Sequence, residues 1–158
     1  MVRLNPMTEA AFEEYVATSI QHYADEHVRS GRWSPDTASA QAEKEFAELL
    51  PDGTQTPGQY LLTLLDETTG QEIGMLWYGI REQAGVREAW IWDVNVAPPF
   101  RRQGYGRQAM AVLEQHVRER GLARISLHVF GHNAAARALY ERMGYSPTNI
   151  VMSKTLPD

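Results

Sequence analysis

At 158 residues the chain is long enough to bury one sizeable core and too short for two, which predicts a single domain. The absence of cysteine excludes disulfides, thiolate nucleophiles and cysteine zinc sites, and the lack of a signal peptide or membrane-length apolar run predicts a cytoplasmic protein without membrane partners. The net charge of -5 and the lack of an aromatic-basic surface pattern argue against a nucleic-acid partner.

Two amphipathic helices are predicted in the first third of the chain. Apolar side chains recur at spacings of three and four over about residues 9–30, after Thr8, which can cap a helix. A second helix is predicted to start with Ser34-Pro35, an N-cap and first-turn pair, and to stop at the turn formed by residues 51–53. Residues 1–58 are therefore predicted to be a helical segment.

From residue 59 the pattern changes to short strands. Three runs rich in aromatic and branched residues, separated by turns that contain glycine, predict an antiparallel meander: YLLTLLD, EIGMLWYGIR and REAWIWDVNV. After Val96, helices and strands alternate, and we expect a helix over about 104–120, a strand over 124–130, a helix over 133–143 and a last strand near IVMSKTL. The strand at 89–96 then pairs in parallel with that at 124–130, so the fold class is α+β with a mixed sheet.

The stretch FRRQGYGRQAM, residues 100–110, opens the third predicted helix. The first amides of a helix lack intrahelical partners, and the helix dipole favours anions at that end. Gly104 and Gly106 have no β-carbon to obstruct contact with phosphate oxygens, and three arginines can neutralise the charge: Arg101, Arg102 and Arg107. The stretch predicts a pyrophosphate site, with helix capping and a solvated rim as the structural alternative.

Two other phosphate-binding motifs fit this stretch poorly. A P-loop is excluded because no Gly-Lys-Ser/Thr follows. Gly104, Gly106 and Ala109 formally match the dinucleotide pattern G-x-G-x-x-G/A, but the segment APPFRRQ separates the strand from the first glycine. The next strand also ends in HVFGHN, without the acidic residue that the dinucleotide pattern needs.

Residues 101–106, RRQGYG, resemble the Q/R-x-x-G-x-G/A loop of the GNAT acetyltransferase superfamily, and Val96 lies at the place expected in the preceding strand. A second signature, NAAARALYERMGY, follows at residues 133–145 with the spacing of that family. The resemblance covers about residues 87–156. It implies a single GNAT-like domain in which residues 1–58 lie on the acceptor side, and residues 59–158 form the sheet and bind acetyl-CoA as a cosubstrate between two splayed parallel strands, without a metal.

The resemblance also implies roles for individual residues. The backbone of Val94 and Val96 pairs with the pantetheine arm, and the Val94 N–H polarises the thioester carbonyl. Asn133 bonds the pantetheine or its neighbouring backbone, and Tyr140 donates a proton to the departing thiolate. The pyrophosphate is held by the amides and arginines of one loop: Arg101, Arg102, Gln103, Gly104, Tyr105, Gly106 and Arg107.

The sequence leaves the general base open. The positions where the family often places a glutamate or histidine fall on Trp90 and Trp92, neither of which can take a proton. Asp93 and Glu88 lie nearby, but alternation along a strand points Asp93 away from the face that Trp92 occupies unless a bulge intervenes. Deprotonation through water is the alternative to direct catalysis by Asp93.

The expected acceptor is a primary amine on a small molecule or a peptide. Presenting an unperturbed lysine amine uncharged at neutral pH costs about 4.6 kcal/mol, against about 1 kcal/mol for an α-amine, so a weak base favours an α-amine. Residues 1–96 carry 16 acidic and 6 basic side chains, a balance that attracts cationic amines, and Trp33 and Tyr23 are either acceptor-site or core residues. A non-catalytic acyl-CoA sensor is the alternative function, and the chain is expected to be a monomer or a homodimer.

Overall fold

A five-stranded sheet forms the centre of the structure, a computed structural model that describes residues 1–157. In chain order, which is also their order in the sheet, the strands are β1 (Val2–Pro6), β2 (Gln59–Asp66), β3 (Glu72–Gln83), β4 (Val86–Val96) and β5 (Ile125–Leu127). Neighbouring strands are antiparallel except β4 and β5, which are parallel. The α+β fold, the meander and the parallel pair are thus confirmed, whereas β1 was not predicted.

Within residues 1–157, four α-helices flank the sheet: α1 (Glu9–Arg29), α2 (Ala38–Leu49), α3 (Tyr105–Glu119) and α4 (Ala134–Arg142). Thr8 caps α1 as predicted, because its side chain accepts a hydrogen bond from the Ala11 N–H at 3.2 Å. The predicted start of α2 is wrong. The Ser34 carbonyl instead accepts from the Thr37 and Ala38 amides in a separate turn, and the helix begins after Thr37.

Alternate side chains of the sheet enter two different cores. Leu76 and Tyr78 belong to a cluster with Leu113 of α3, whereas Trp77, between them in the sequence, packs with Tyr15 of α1. This alternation follows from the pleat of the strand, which turns successive side chains to opposite faces. One face of the sheet is therefore covered by α3 and α4 and the other by α1 and α2.

The last strand that we predicted near IVMSKTL is absent. Residues 146–157 form no helix or strand, and every one of them is exposed. Ile150 is 74% exposed and Val151 is 98% exposed. A strand forms only where a neighbour pairs with its backbone, and no described strand of the chain lies beside this segment.

Glu88 joins three strands through its buried carboxylate, which is 1% exposed. Oε1 accepts from Arg81 Nε of β3 at 2.8 Å, and Oε2 accepts from Arg124 Nε and Ser126 Oγ, each at 2.7 Å. Burial alone would raise the pKa of Glu88, but these hydrogen bonds lower it below its ordinary value, so the carboxylate stays charged. The network ties β3, β4 and β5 together at the end where β4 and β5 still pair.

An aromatic cluster joins α1 to the segment after β5. His27 is 4% exposed, stacks on Trp33 with ring centroids 4.0 Å apart, and contacts Tyr23 and Phe130 edge-on at 4.5 and 5.2 Å. Its Nδ1 is buried without a hydrogen-bond partner in the described structure. Burial, and secondarily the positive charge of Arg32, lowers the pKa of His27. Tyr23 and Trp33 thus pack with His27 in this cluster.

We expect acid to destabilise the protein through His27. Below about pH 6.5 the unfolded chain binds a proton that folded His27 resists, so stability falls as pH falls from 6.5 toward the lower folded pKa, by at most about 1.4 kcal/mol per pH unit. Urea unfolding at several pH values between 7.5 and 5 measures this slope. His27→Phe should flatten it and leave the part due to His116 and His128, whose pKa values burial also lowers. An unchanged slope in His27→Phe would contradict the assignment.

Candidate active site

The loop before α3 presents a row of free backbone amides. Gly104, the N-cap of α3, has φ +85°, and Arg102 has φ +62°, so both residues adopt the left-handed conformation. Within residues 1–157, no acceptor is found for the amides from Arg102 to Arg107, and the next amide, that of Gln108, bonds to the Gly104 carbonyl. Such a row of N–H groups at a helix N-terminus can bind an anion.

Side chains tie this loop to its surroundings. Arg101 Nε donates to the Val96 carbonyl at 2.8 Å, and Gln103 Nε2 donates to the Pro99 carbonyl at 2.9 Å. The Tyr105 hydroxyl donates to Asp66 Oδ2 at the end of β2 at 2.5 Å, which lowers the pKa of that carboxyl. The side chains of Arg101 and Tyr105 therefore fix the loop, and Arg107 remains exposed on its rim.

Glycine occurs at positions 104 and 106 of the loop for two different structural reasons. A β-carbon at Gly106 would lie 3.3 Å from Leu139 Cδ2, so Gly106 allows the start of α3 to pack closely on α4. A β-carbon at Gly104 would have space, with its nearest neighbour, Gln108 Nε2, 4.0 Å away. Gly104 is thus required by its positive φ, and the space above it is open to a ligand.

A gap opens between β4 and β5 next to this loop. The two strands pair only from Ala89 with Ile125 to Ile91 with Leu127, whereas β4 continues to Val96. The Ala97 N–H donates to the Ile73 carbonyl of β3 at 2.8 Å. Because backbone amides alternate along a strand, the amides of Val94 and Val96 then face the gap. The splayed parallel strands that we expected are therefore present.

A β-bulge at Trp92 changes which side chains share a face. Trp77 of β3 pairs with Asp93, but its neighbour Tyr78 pairs with Ile91, so Trp92 is an extra residue. Trp92 packs 5.6 Å from the Trp77 ring, and Asp93 bonds to Tyr15 of α1, which places both on the α1 face. Regular alternation would place Trp92 and Asp93 on opposite faces of the sheet. The bulge instead brings Asp93 to the α1 face that Trp77 and Trp92 occupy.

Asp93 is partly buried and has one engaged oxygen. The Tyr15 hydroxyl donates to Oδ2 at 2.9 Å, and Oδ1 has no side-chain hydrogen bond in the part of the chain described. Burial raises the pKa of Asp93, while the Tyr15 hydrogen bond, the charge of His22 and the Val94 amide act against this rise. A carboxylate with a raised pKa is a better proton acceptor than an ordinary surface aspartate.

Tyr140 lies on α4, half-buried beside Tyr145, with ring centroids 5.7 Å apart. Burial, and then the negative charge of Asp93, raises the pKa of Tyr140 to about 12. The phenol therefore keeps its proton at neutral pH. Tyr140 packs against the cluster on the α3 face of the sheet, whereas Asp93 bonds to Tyr15 on the α1 face.

Two other predicted candidates have structural partners. Glu88 is held by the three hydrogen bonds described above, so it is not available as a general base. Asn133 caps α4, since its Oδ1 accepts from the Ala136 N–H at 3.2 Å, and its side chain is exposed. Trp90 lies under the Arg81 guanidinium, whose carbon is 3.5 Å from the ring centroid.

Tyr15 and His22 were not predicted from the sequence to belong to the site. Tyr15 lies on the apolar face of α1 and was indistinguishable from core residues there, although Asp93, its partner, is 78 residues away. His22 is exposed seven residues after Tyr15 on α1, where the sequence does not distinguish it from an ordinary surface histidine. Among the described residues, no cluster of three or more histidine, aspartate or glutamate side chains could hold a metal ion, and none of the helices combines the length with the apolar composition of a membrane span.

Comparison with known proteins agrees with this geometry. The model of the acetyltransferase (GNAT) family matches residues 17–145. The uncharacterized N-acetyltransferase YycN of Bacillus subtilis (strain 168) is 40% identical over 156 residues, which are 98% of this chain and 99% of the relative. The crystal structure of YycN superposes with a TM-score of 0.93 at 38% identity and covers 100% of both chains.

A more distant relative matches only part of the chain. The ribosomal protein bS18 alanine N-acetyltransferase of Escherichia coli (strain K12) is 38% identical over 68 residues, which are 43% of this chain and 46% of the relative. The family match over most of the chain and the full-length similarity to YycN lead to the same conclusion: the protein belongs to the GNAT acetyltransferase family.

Proposed function

We propose that the protein transfers an acetyl group from acetyl-CoA directly to a primary amine. The observation that carries this proposal is the gap between β4 and β5, which opens beside the free amides of the loop before α3. The acceptor amine must lose a proton when it attacks the thioester, and the departing thiolate must gain one. The reaction therefore needs a proton acceptor and a proton donor. Direct transfer is favoured because the chain has no cysteine that could carry the acetyl group.

The residues around the gap fit acetyl-CoA. The free amides from Arg102 to Arg107, with the exposed guanidinium groups of these two residues, suit a pyrophosphate. The outward amides of Val94 and Val96 suit an extended arm that pairs like a strand, and the Val94 amide suits the thioester carbonyl. Bound acetyl-CoA supplies an acetyl group activated as a thioester.

The proposed reaction moves two protons, one away from the acceptor amine and one onto the departing thiolate. Asp93 Oδ1 accepts a proton from the acceptor amine, while the Tyr15 hydroxyl holds the carboxylate in place through Oδ2. Tyr140, with its pKa raised to about 12, keeps a proton that it can give to the thiolate of CoA. Because of the bulge at Trp92, Asp93 lies on the α1 face of the sheet, where a regular strand would not put it, and this supports its proposed role.

An α-amine is the acceptor class that this site supports best. Asp93 is a modest base, and an α-amine with pKa near 7.8 needs only about 1 kcal/mol to be presented uncharged at neutral pH. One relative is named for acting on an alanine of ribosomal protein bS18. The side chain of alanine carries no amine, so the α-amine is the group that can be acetylated. Trp92, 36% exposed above Gly79, provides an aromatic wall on this side of the sheet.

Thiol release from acetyl-CoA, measured against a panel of α-amines, lysine side-chain analogues and amino sugars, tests the proposal. We expect release with α-amines and at least about tenfold less with lysine analogues at pH 7. Gly104→Glu should remove the thermal stabilisation that acetyl-CoA gives, because a carboxylate would occupy the phosphate position.

Gly104→Ala is the matched control for this experiment. It imposes the same backbone strain at φ +85° without a charge, so it should lose some stability but retain binding. Binding of CoA without thiol release for any amine would contradict the transferase proposal and favour a sensor. Equal stabilisation of the wild type and Gly104→Glu would contradict the pyrophosphate site.

A further inference from the structure

Aromatic side chains continue along the α1 face of the sheet beyond Asp93, toward the turn between β3 and β4. The Trp92 ring lies 5.6 Å from the Trp77 ring and 6.1 Å from the Trp90 ring, measured between centroids. A β-carbon at Gly79 would lie 2.9 Å from Trp92 Nε1, so the exposed Trp92 ring reaches across to β3. Because Trp77 pairs with Asp93, the three rings form a row that starts beside this carboxylate.

Arg81 of β3 lies at the other end of this aromatic row. Its guanidinium carbon is 3.5 Å from the centroid of the Trp90 ring, and 36% of its side chain is exposed. Nε donates to Glu88 at 2.8 Å, and the two terminal nitrogens have no hydrogen-bond partner among residues 1–157. A guanidinium held over an indole with its terminal N–H groups free can bind a carboxylate through two parallel hydrogen bonds.

The charges around Arg81 do not cancel. The single carboxylate of Glu88 bonds to both Arg81 and Arg124, at 2.8 and 2.7 Å, so two guanidinium groups and one carboxylate carry a net charge of +1. Arg124 also donates through Nη2 to the Gln83 carbonyl at 3.2 Å, whereas Arg81 is bonded through Nε alone. The surplus positive charge is therefore accessible at Arg81, where the aromatic row ends.

The register of the sheet gives the separation between Asp93 and Arg81. Trp77 pairs with Asp93, and Arg81 is four residues further along β3, which is about 13 Å at the rise of a strand. The Arg81 side chain leans back over Trp90, which pairs with Gly79. Gly79 is two residues from Trp77, or about 7 Å along the strand. An acidic side chain at the second or third residue of an extended peptide spans such a distance from the α-amine.

We propose that Arg81 selects the acceptor by binding its carboxylate, and that the acceptor is a peptide with an acidic residue at its second or third position. The inference rests on the proposed transfer to an α-amine, with this amine at Asp93 and the peptide over Trp92 and Trp90. A peptide is the favoured occupant because the opposite charges at the two ends of the row match an α-ammonium group and a carboxylate on one molecule. A free amino acid is too short, since its two groups lie within one residue.

Matched peptides test the proposal through the ratio of their kcat/KM values, measured as thiol release from acetyl-CoA. We expect a tetrapeptide with glutamate at position two or three to exceed the same peptide with glutamine by about five- to tenfold at low salt. The preference should shrink as salt screens the ion pair. Arg81→Gln should bring the ratio to within about twofold of one, and Arg81→Lys, which keeps the charge, should retain part of the preference.

Arg124→Gln is the matched control for Arg81→Gln. Each substitution takes one guanidinium partner from Glu88, but in the described structure Arg81, and not Arg124, lies over Trp90. Arg124→Gln should therefore keep the preference for glutamate peptides. Because the ratio compares two substrates of the same variant, any loss of folded protein cancels from it.

A binding measurement separates this inference from the proposed function. Titration of the CoA-bound protein with each peptide, followed by tryptophan fluorescence, gives dissociation constants without turnover. Tighter binding of the glutamate peptide that Arg81→Gln abolishes, without thiol release, would support the role of Arg81 and contradict the transferase. Equal constants for the two peptides, or binding of neither, would overturn the inference, and thiol release would then still support the transferase. A preference that persists in Arg81→Gln would also overturn the inference.

Discussion

Tyr140→Phe should lower kcat by about 10²- to 10⁴-fold, the range expected when a general acid is lost, while the dissociation constant of acetyl-CoA stays within about twofold. The substitution removes one hydroxyl from a half-buried ring whose pKa is raised to about 12, and it leaves the packing of that ring in place. Steady-state kinetics with an accepted amine and calorimetry with acetyl-CoA measure the two quantities separately.

Tyr145→Phe is the matched control for Tyr140→Phe. The two rings are 5.7 Å apart, and the Tyr145 hydroxyl is buried without a hydrogen-bond partner in the described structure. Its removal should leave kcat unchanged and the fold at least as stable, because no hydrogen bond is lost. If Tyr140→Phe weakens acetyl-CoA binding and turnover equally, Tyr140 serves packing and another group protonates the thiolate.

Asp93→Asn should lower kcat/KM by about 10²- to 10⁴-fold at neutral pH, because the amide keeps the shape of the side chain and cannot accept the proton. In the wild type, kcat/KM should rise with pH as Asp93 loses its proton, at a pKa above that of a free aspartate. This acid limb should disappear in Asp93→Asn. A pH-rate profile of both proteins measures the difference.

Tyr15→Phe separates positioning from catalysis at the same carboxylate. The Tyr15 hydrogen bond lowers the pKa of Asp93, so its loss should move the acid limb of the profile to higher pH while the reaction persists.

Retention of most activity by Asp93→Asn would contradict the role of Asp93. Deprotonation of the amine through water would then be the remaining route.

Most helices and strands and the loop of residues 101–107 could be predicted because their signals are local. Helical periodicity gave α1 to within one residue at each end, and glycines with arginines before a helix indicated the loop of residues 101–107. The parallel pairing of β4 with β5 followed from the order of strands and helices alone. Such features depend on residues that are close together in the sequence, so the sequence alone indicates them.

The features that the sequence did not predict depend on contacts between distant residues. The five-residue β1 is stabilised by its pairing with β2, about sixty positions away, and carries no pattern of its own. The bulge at Trp92 is a mismatch in register between β3 and β4, which neither strand shows alone. The hydrogen bond from Tyr15 to Asp93 likewise exists only after α1 has packed on the sheet.

Three side-chain tethers of the loop at residues 101–107 bear on the proposed binding of a pyrophosphate. Arg101, Gln103 and Tyr105 hold the loop to Val96, Pro99 and Asp66 through hydrogen bonds within the protein itself. The amides are therefore preorganised, and the proposed pyrophosphate would lose its own freedom without having to order the backbone. Its affinity would then depend on charge and geometry, because the conformational entropy of the loop was already lost during folding.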